Sequence, residues 1–143
     1  MGKVIHVRGA RMPGTSRHAA GLRCADARQL AREVLAAHRV GERVLEDVLT
    51  VVAELVTNAI RHAGGVTGFA VRHLPDVQAV AVEVSDGSPL LPHSPGTPAA
   101  VPGGFGWLLV NKMATRTEIR VGDDGKVITA YLPLAAAAPA SGV

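Results

Sequence analysis

Three short stretches of this chain place polar residues or glycines in patterns that could bind a ligand. "VSDGSP" puts Asp86 and Gly87 at the end of a β-rich segment, and "PGGFGWLLV" puts Gly103, Gly104 and Gly106 just before helical character resumes. A carboxylate past a strand end can accept hydrogen bonds from an exocyclic amine, and a glycine-rich turn at a helix N-terminus can offer N–H groups to phosphate. Each pattern alone is also typical of an ordinary turn.

The third stretch, "VVAELVTNAIRHAGG", is an apolar helix that carries Glu54 and Asn58 one turn apart. Burying an unpaired carboxylate is costly, so these two residues need an explanation. At about 100° per residue they belong to a polar stripe along one side of the helix. The stripe comprises Arg43, Asp47, Thr50, Glu54, Asn58 and Arg61. Periodicity alone allows two interpretations, a solvated helix face or one wall of a ligand pocket.

Two helices come first among the elements that must position these residues. The first is predicted over "ARQLAREVLAAH", with Asp26 as its N-cap and Gly41 as its stop. The second is predicted from about Glu42 to His62 and ends at a pair of glycines. Before them, "VIHV" (Val4 to Val7) could form a short edge strand in an otherwise loop-like segment.

Two hairpins and a short helix are predicted in the second half of the chain. "VTGFAVRHL" and "VQAVAVEVSD" flank a Pro-Asp turn, and "RTEIRV" and "KVITAYLPL" are joined at "GDDG". Between the hairpins lie a long loop from Gly87 to Gly106, with five of the nine prolines, and a helix over "GWLLVNKMA". The fold class is therefore α+β, a two-layer sandwich of a mixed, mostly antiparallel sheet with helices on one face.

Composition narrows the classes of function. The 143 residues are 48% apolar and 19% charged, which fits one compact domain. The net charge of +3 comes from scattered basic residues without aromatic platforms, so direct nucleic-acid binding gains little support. Cys24 is the single cysteine and excludes an internal disulfide, which fits a reducing compartment. Without a signal-peptide pattern or a membrane-length apolar run, we expect a cytoplasmic protein.

Taken together, "ELVTNAIRH", "VEVSDGSP" and "GGFGWLLV" resemble the N-box and the two G-boxes of the GHKL ATP-binding superfamily. More narrowly, the chain is similar to the small anti-sigma factor serine/threonine kinases of the RsbW and SpoIIAB type, especially actinobacterial single-domain members. The resemblance implies the Bergerat ATP-binding fold in residues 24–134. Residues 1–23 would then be an N-terminal segment with the possible edge strand, and residues 135–143 a disordered tail.

The resemblance also implies roles for individual residues. Glu54 matches the general base, and Asn58 matches the residue that holds the Mg²⁺ bridging the ATP phosphates. Asp86 matches the carboxylate that recognises the adenine amino group. The remaining matches are Gly87 and Ser88 beside the base, Gly103, Gly104 and Gly106 at the lid hinge and phosphates, His62 at the pocket entrance and Thr129 in support of the adenine site. Arg61 and His62 could equally cap the C-terminus of the helix.

The second G-box departs from the family pattern. Phe105 stands where arginine is common, and phenylalanine cannot neutralise charge on a transferred phosphoryl group. Phe105 and Trp107 could instead serve in lid or partner packing, since exposed aromatic residues often mark interfaces.

The resemblance implies an ATP- and Mg²⁺-binding anti-sigma regulatory factor. Such a protein is a homodimer that captures a sigma factor and can phosphorylate an anti-sigma antagonist. The alternative is a non-catalytic scaffold of the same fold that captures a protein partner with little or no ATP turnover. A stand-alone sensor histidine kinase is disfavoured, because the chain has no room for a dimerisation helix pair.

Overall fold

The computed structural model describes residues 3–8, 17–18, 21–91 and 104–135. Strand β1 is Lys3–Arg8, β2 is Arg17–His18, α1 is Cys24–Ala37, α2 is Glu42–His62 and β3 is Val66–Leu74. A short 3₁₀ turn over Pro75–Val77 leads into β4 at Ala79–Asp86. Helix α3 is Gly104–Met113, β5 is Arg116–Gly122 and β6 is Gly125–Pro133.

The strands form one six-stranded sheet in the order β1-β5-β6-β4-β3-β2. Every pair is antiparallel except β1 with β5, so the sheet is mixed and mostly antiparallel. The predicted edge strand at Val4–Val7 lies within β1, at one edge. Strand β2, at the other edge, falls in a segment that the sequence assigned to a loop.

The three helices cover one face of this sheet, which confirms the predicted α+β sandwich. Alternate residues of the central strands, such as Val80, Val82 and Val84 of β4 and Ile128 and Ala130 of β6, pack against them. Helix α2 supplies the centre of this core through its buried valines, because its apolar residues recur at helical spacing around most of its circumference. The arrangement fixes which side chains of each strand can meet a helix.

Helix α2 matches its predicted bounds, whereas the ends of α1 do not. Arg23 is the N-cap of α1, and Asp26 stands in the first turn, where its carboxylate accepts the Arg23 backbone N–H at 3.2 Å. The prediction of Asp26 as N-cap is therefore wrong. Gly41 does not stop α1 either, since that helix ends at Ala37 and Arg39 reverses the chain with a φ of 54°. Gly41 is instead the N-cap of α2.

The remaining elements lie close to their predicted positions. The β3–β4 hairpin turns through Pro75–Val77 and a left-handed Gln78, so β4 begins two residues later than predicted. A two-residue turn at Asp123 and Asp124 joins β5 to β6. Helix α3 begins two residues before the predicted "GWLLVNKMA". Most of the predicted long loop and of the predicted tail lies outside the described residues.

Candidate functional site

A cavity of about 240 Å³ opens between α2, the ends of β4 and β6, and α3. Its walls are apolar where the layers pack, with Leu55 and Ala59 from α2, Val84 from β4, Ile128 from β6 and Trp107 from α3. The volume lies just below the roughly 300–1,000 Å³ typical of small-molecule sites. It suits a planar ring system with the rest of a larger ligand extending out of the cavity.

Helix α2 brings two of the predicted polar residues to this cavity. Asn58 and His62 line it from successive turns of the helix. Of the rest of the polar stripe, Arg43 and Arg61 are exposed to solvent. The stripe is thus neither wholly a solvated face nor wholly a pocket wall, and Asn58 is its one residue that lines the cavity.

At its polar end the cavity is built around the carboxylate of Asp86. Asp86 is the last residue of β4, and only 4% of its side chain is exposed. Oδ1 accepts the backbone N–H of Ser88 at 2.9 Å, a turn in which an aspartate side chain bonds two residues ahead. The Ser88 hydroxyl accepts the N–H of Leu90 at 3.2 Å in a second such turn. These bonds direct the chain along the mouth of the cavity, which Leu90 and Leu91 line.

Lys126 forms a buried ion pair with Asp86. Its ammonium group lies 3.0 Å from each carboxylate oxygen, and it also donates to the Ser88 carbonyl oxygen at 3.0 Å. The pair forms because β4 and β6 are antiparallel partners with Asp86 opposite Lys126. Burial raises the pKa of the Asp86 carboxyl above its ordinary value, while the Ser88 N–H and the Lys126 ammonium act in the opposite direction.

Two glycines let backbone and side chains approach each other closely at this site. Gly125 has a φ of +141°, and a Cβ there would overlap the Asp86 carbonyl oxygen and lie 2.9 Å from Gly87 Cα. Gly106 sits in the first turn of α3, and a Cβ there would overlap the Glu54 carboxylate. Glycine is therefore required by the backbone at Gly125, whereas a Cβ at Gly106 would be accommodated if the Glu54 carboxylate moved.

Glu54 lies against the N-terminal turn of α3 through its contact with Gly106 and is not among the residues that line the cavity. The partial positive charge of a helix N-terminus favours a carboxylate there. A structural contribution to the α2–α3 contact therefore accompanies any chemical role. Asn58, one turn further along α2, is the nearer of the two to the cavity.

Of the glycines predicted to contact a nucleotide, the structure describes Gly87, Gly104 and Gly106. A Cβ on Gly87 would meet open space, so protein packing does not require glycine there and the space beside Asp86 is open to a ligand. Gly104 is the first residue of α3, and Gly106 is the third. Gly103 lies outside the described residues.

Thr129 does not reach the cavity, so its assignment to the adenine site needs correction. Its register partners are Glu83 of β4 and Glu118 of β5, and cross-strand partners share a face of the sheet. Lys126 and Ile128 of the same strand face the cavity, so Thr129 points to the face away from the helices. Glu83 accepts a hydrogen bond from Arg72 Nη2 at 2.8 Å on that face.

Trp107 also differs from its predicted role. It is 6% exposed and lines the cavity, so it is a buried wall residue and not an exposed interface aromatic. Sequence reasoning missed Lys126 entirely. The signal that could have found it is the pairing of β4 with β6, which neither hairpin reveals.

No group of three or more histidine, cysteine or acidic residues able to hold a metal ion occurs in the part of the chain that the structure describes. Within the same ranges, no helix is both long and apolar enough to cross a membrane. A magnesium ion at this cavity would therefore depend on oxygen ligands such as the Asn58 amide together with a bound phosphate.

Comparison with known proteins agrees with this architecture. A search of curated protein sequences found no match to the chain. The family model described as the histidine kinase-like ATPase domain matches residues 19–132, which include every described helix and the ends of β4 and β6 that form the cavity. The chain therefore belongs to the histidine kinase-like ATPase domain family of the GHKL superfamily, and this membership implies ATP binding.

Proposed function

We propose that this chain is an ATP-binding anti-sigma regulatory factor that acts in the cytoplasm. In this proposal, it captures a sigma factor and transfers a phosphoryl group from ATP to a serine or threonine of an antagonist protein. The observation that carries the ATP-binding part is the cavity, with the Asp86 carboxylate at one end and Asn58 on its wall. The two protein partners and the homodimer rest on the resemblance of the motifs alone.

The residues at the cavity fit a nucleotide. Among the described residues, Asp86 Oδ2 has only the Lys126 ammonium beside it, at 3.0 Å, and so keeps room for an exocyclic amine. Apolar side chains of Leu55, Val84 and Ile128 suit the faces of a purine ring. The N-terminus of α3, a helix of 10 residues, suits the phosphates. Asn58 would supply an oxygen ligand to Mg²⁺, which otherwise prefers phosphate and water oxygens.

Glu54 is the candidate general base. When bound, ATP supplies the phosphoryl group that is transferred. Glu54 would accept the proton of the attacking hydroxyl, and its contact with Gly106 of α3 restricts where its carboxylate can lie. Because Phe105 replaces an arginine, the chain lacks a cation at that position to stabilise the charge of the transferred group, so we expect slow transfer.

A non-catalytic scaffold is the second candidate, and the Asp86–Lys126 pair favours it. A lysine ammonium 3.0 Å from both oxygens of the base-recognising carboxylate competes with a ligand amine for the same lone pairs. If that competition prevents nucleotide binding, the fold would serve only to capture a protein partner.

Calorimetric titration of ATP and ADP with Mg²⁺ tests the proposal. We expect the wild type to bind both, Asp86→Ala to lose binding, and Asn58→Ala to bind more weakly or without dependence on Mg²⁺. Lys112→Ala is the matched control, because Lys112 is an exposed residue of α3 that does not line the cavity. Absence of binding by the wild type would refute nucleotide binding and favour the scaffold.

The catalytic and partner claims need a separate test. The purified chain would be mixed with ATP labelled at the γ-phosphate and, one at a time, with the antagonist-like proteins of the same genome. We expect label on a serine or threonine of one of them, and no label with Glu54→Gln. Binding of ATP without transfer to any of them under saturating Mg²⁺ would contradict the kinase.

A further inference from the structure

The Asp86–Lys126 pair places a hydrogen-bond donor beside a hydrogen-bond acceptor at the closed end of the cavity. Both side chains are almost fully buried, with exposed fractions of 4% for Asp86 and 7% for Lys126. Both line the cavity. Because Gly125 has no Cβ, the two strand ends can lie close together beside the pair.

Part of the hydrogen-bonding capacity of Asp86 and Lys126 remains for a ligand. A carboxylate offers about four lone-pair positions. Ser88 N–H and Lys126 donate to Oδ1. Among the described residues, Oδ2 has only the Lys126 ammonium beside it, at 3.0 Å, so a position on Oδ2 remains. Lys126 Nζ donates hydrogen bonds to Asp86 Oδ1 and to the Ser88 carbonyl oxygen, and it lies 3.0 Å from Asp86 Oδ2. The bond to Ser88 is the one that a ligand acceptor can replace without breaking the ion pair.

Purine bases present a matching donor and acceptor on neighbouring atoms. Adenine has the N6 amino group as donor beside N7 as acceptor. Guanine has N1–H as donor beside O6 as acceptor. Either edge can therefore give its donor to Asp86 and receive a hydrogen bond from Lys126, with only a small shift of the ring. A carboxylate without the lysine would suit adenine, but it would leave the guanine O6 facing negative charge and without a donor.

We propose that Lys126 is a specificity-determining residue that allows this cavity to accept guanine nucleotides as well as adenine nucleotides. The inference rests on the proposed function, since it requires the cavity to bind the base of a nucleotide. Lys126 contacts the base directly, whereas Ser88 only positions the carboxylate.

The test is calorimetric titration of ATP, GTP and ITP with Mg²⁺ into the wild type, Lys126→Met and Lys126→Arg. We expect the wild type to bind GTP with a dissociation constant within about tenfold of that for ATP. Lys126→Met removes the donor at similar length, and we expect it to weaken GTP at least about tenfold more than ATP, because the guanine O6 would then face the Asp86 carboxylate without a donor, whereas the adenine N6 amine keeps Asp86 as its acceptor. ITP, which has O6 but no 2-amino group, should follow GTP. Lys126→Arg keeps a donor and should retain GTP binding.

The outcomes separate this inference from the proposed function. Wild-type binding of ATP with GTP more than about a hundredfold weaker would overturn the inference and leave ATP binding standing. An equal loss of both nucleotides in Lys126→Met would also overturn it, since Lys126 would then act only on the shape of the site. Binding of neither nucleotide by the wild type would refute the proposed function. Lys112→Met serves as the control for loss of a lysine charge outside the cavity, and the wild-type comparison needs no variant to fold.

Discussion

Replacing Gly125 by alanine should destabilise the fold strongly, because two independent costs meet at this residue. Its φ of +141° is a region that residues with a Cβ rarely adopt, and holding one there costs about 1–3 kcal/mol. The added Cβ would also overlap the Asp86 carbonyl oxygen, which is backbone in a central strand and cannot move aside. Overpacking of this kind adds about 1–3 kcal/mol. We therefore expect Gly125→Ala to lower the free energy of unfolding by about 2–6 kcal/mol.

Urea unfolding followed by circular dichroism measures this loss, with the fluorescence of Trp107 as a second probe of the same transition. Gly87→Ala is the matched control, because a Cβ on Gly87 meets open space and its φ is not in the left-handed region. That variant should stay within about 0.5 kcal/mol of the wild type. If Gly125→Ala lowers the unfolding free energy by less than about 1 kcal/mol, the argument that this position cannot accommodate a Cβ is refuted.

Three further substitutions test the site. Glu54→Gln should leave the ATP dissociation constant within about twofold and slow transfer of labelled γ-phosphate about a hundredfold or more, whereas unchanged transfer would rule out a base. Gly106→Ala should change the unfolding free energy by no more than about 1 kcal/mol, because the Glu54 carboxylate can rotate away from the added Cβ. That rotation displaces the candidate base, so phosphoryl transfer should slow about tenfold or more. A large loss of stability in urea would contradict this expectation. The pKa of Asp86 is raised in the folded state. The stabilisation that results from this shift is therefore complete at pH values below 3.8, the ordinary pKa of an aspartate, and is lost as the pH rises through the folded-state pKa. The unfolding free energy of the wild type relative to Asp86→Asn should therefore fall as pH rises above 3.8, and a rise would show that the ion pair outweighs burial.

Local sequence signals were sufficient for most of the elements. Helix α2 has a strong apolar period and ends at two glycines, so its bounds follow from the chain itself. The ends of α1 were less predictable, because Asp26 can serve either as an N-cap or as an acceptor from within the first turn. A glycine such as Gly41 can either follow the end of one helix or cap the start of the next. In the structure, α1 has already ended before the left-handed Arg39, which leaves Gly41 as the N-cap of α2.

The candidate site was predictable in part, for a physical reason. Asn58, His62 and Asp86 each belong to a motif that is continuous in sequence, and the structure brings all three to one cavity. Lys126 and Thr129 depend on how β4 pairs with β6, a contact between distant segments that no turn specifies. A shift of one residue in that register exchanges the faces of every side chain on the strand. The resemblance suggested Thr129, which faces away from the cavity, and the sequence analysis passed over Lys126, which lines it.

The order of the strands has a consequence for how the protein is made. The last two described strands in chain order, β5 and β6, lie inside the sheet between β1 and β4. Until β6 has left the ribosome, β4 has an unpaired edge, and apolar strands with free edges readily join to other chains. Strand β1 cannot pair until β5 has been synthesised, because Lys3 lies opposite Arg116, more than a hundred residues later in the sequence. A nascent or truncated chain that stops before Gly125 would thus contain both strands of the β3–β4 hairpin but leave one edge of β4 unpaired, so the synthesis of β6 is the step that protects this edge from aggregation.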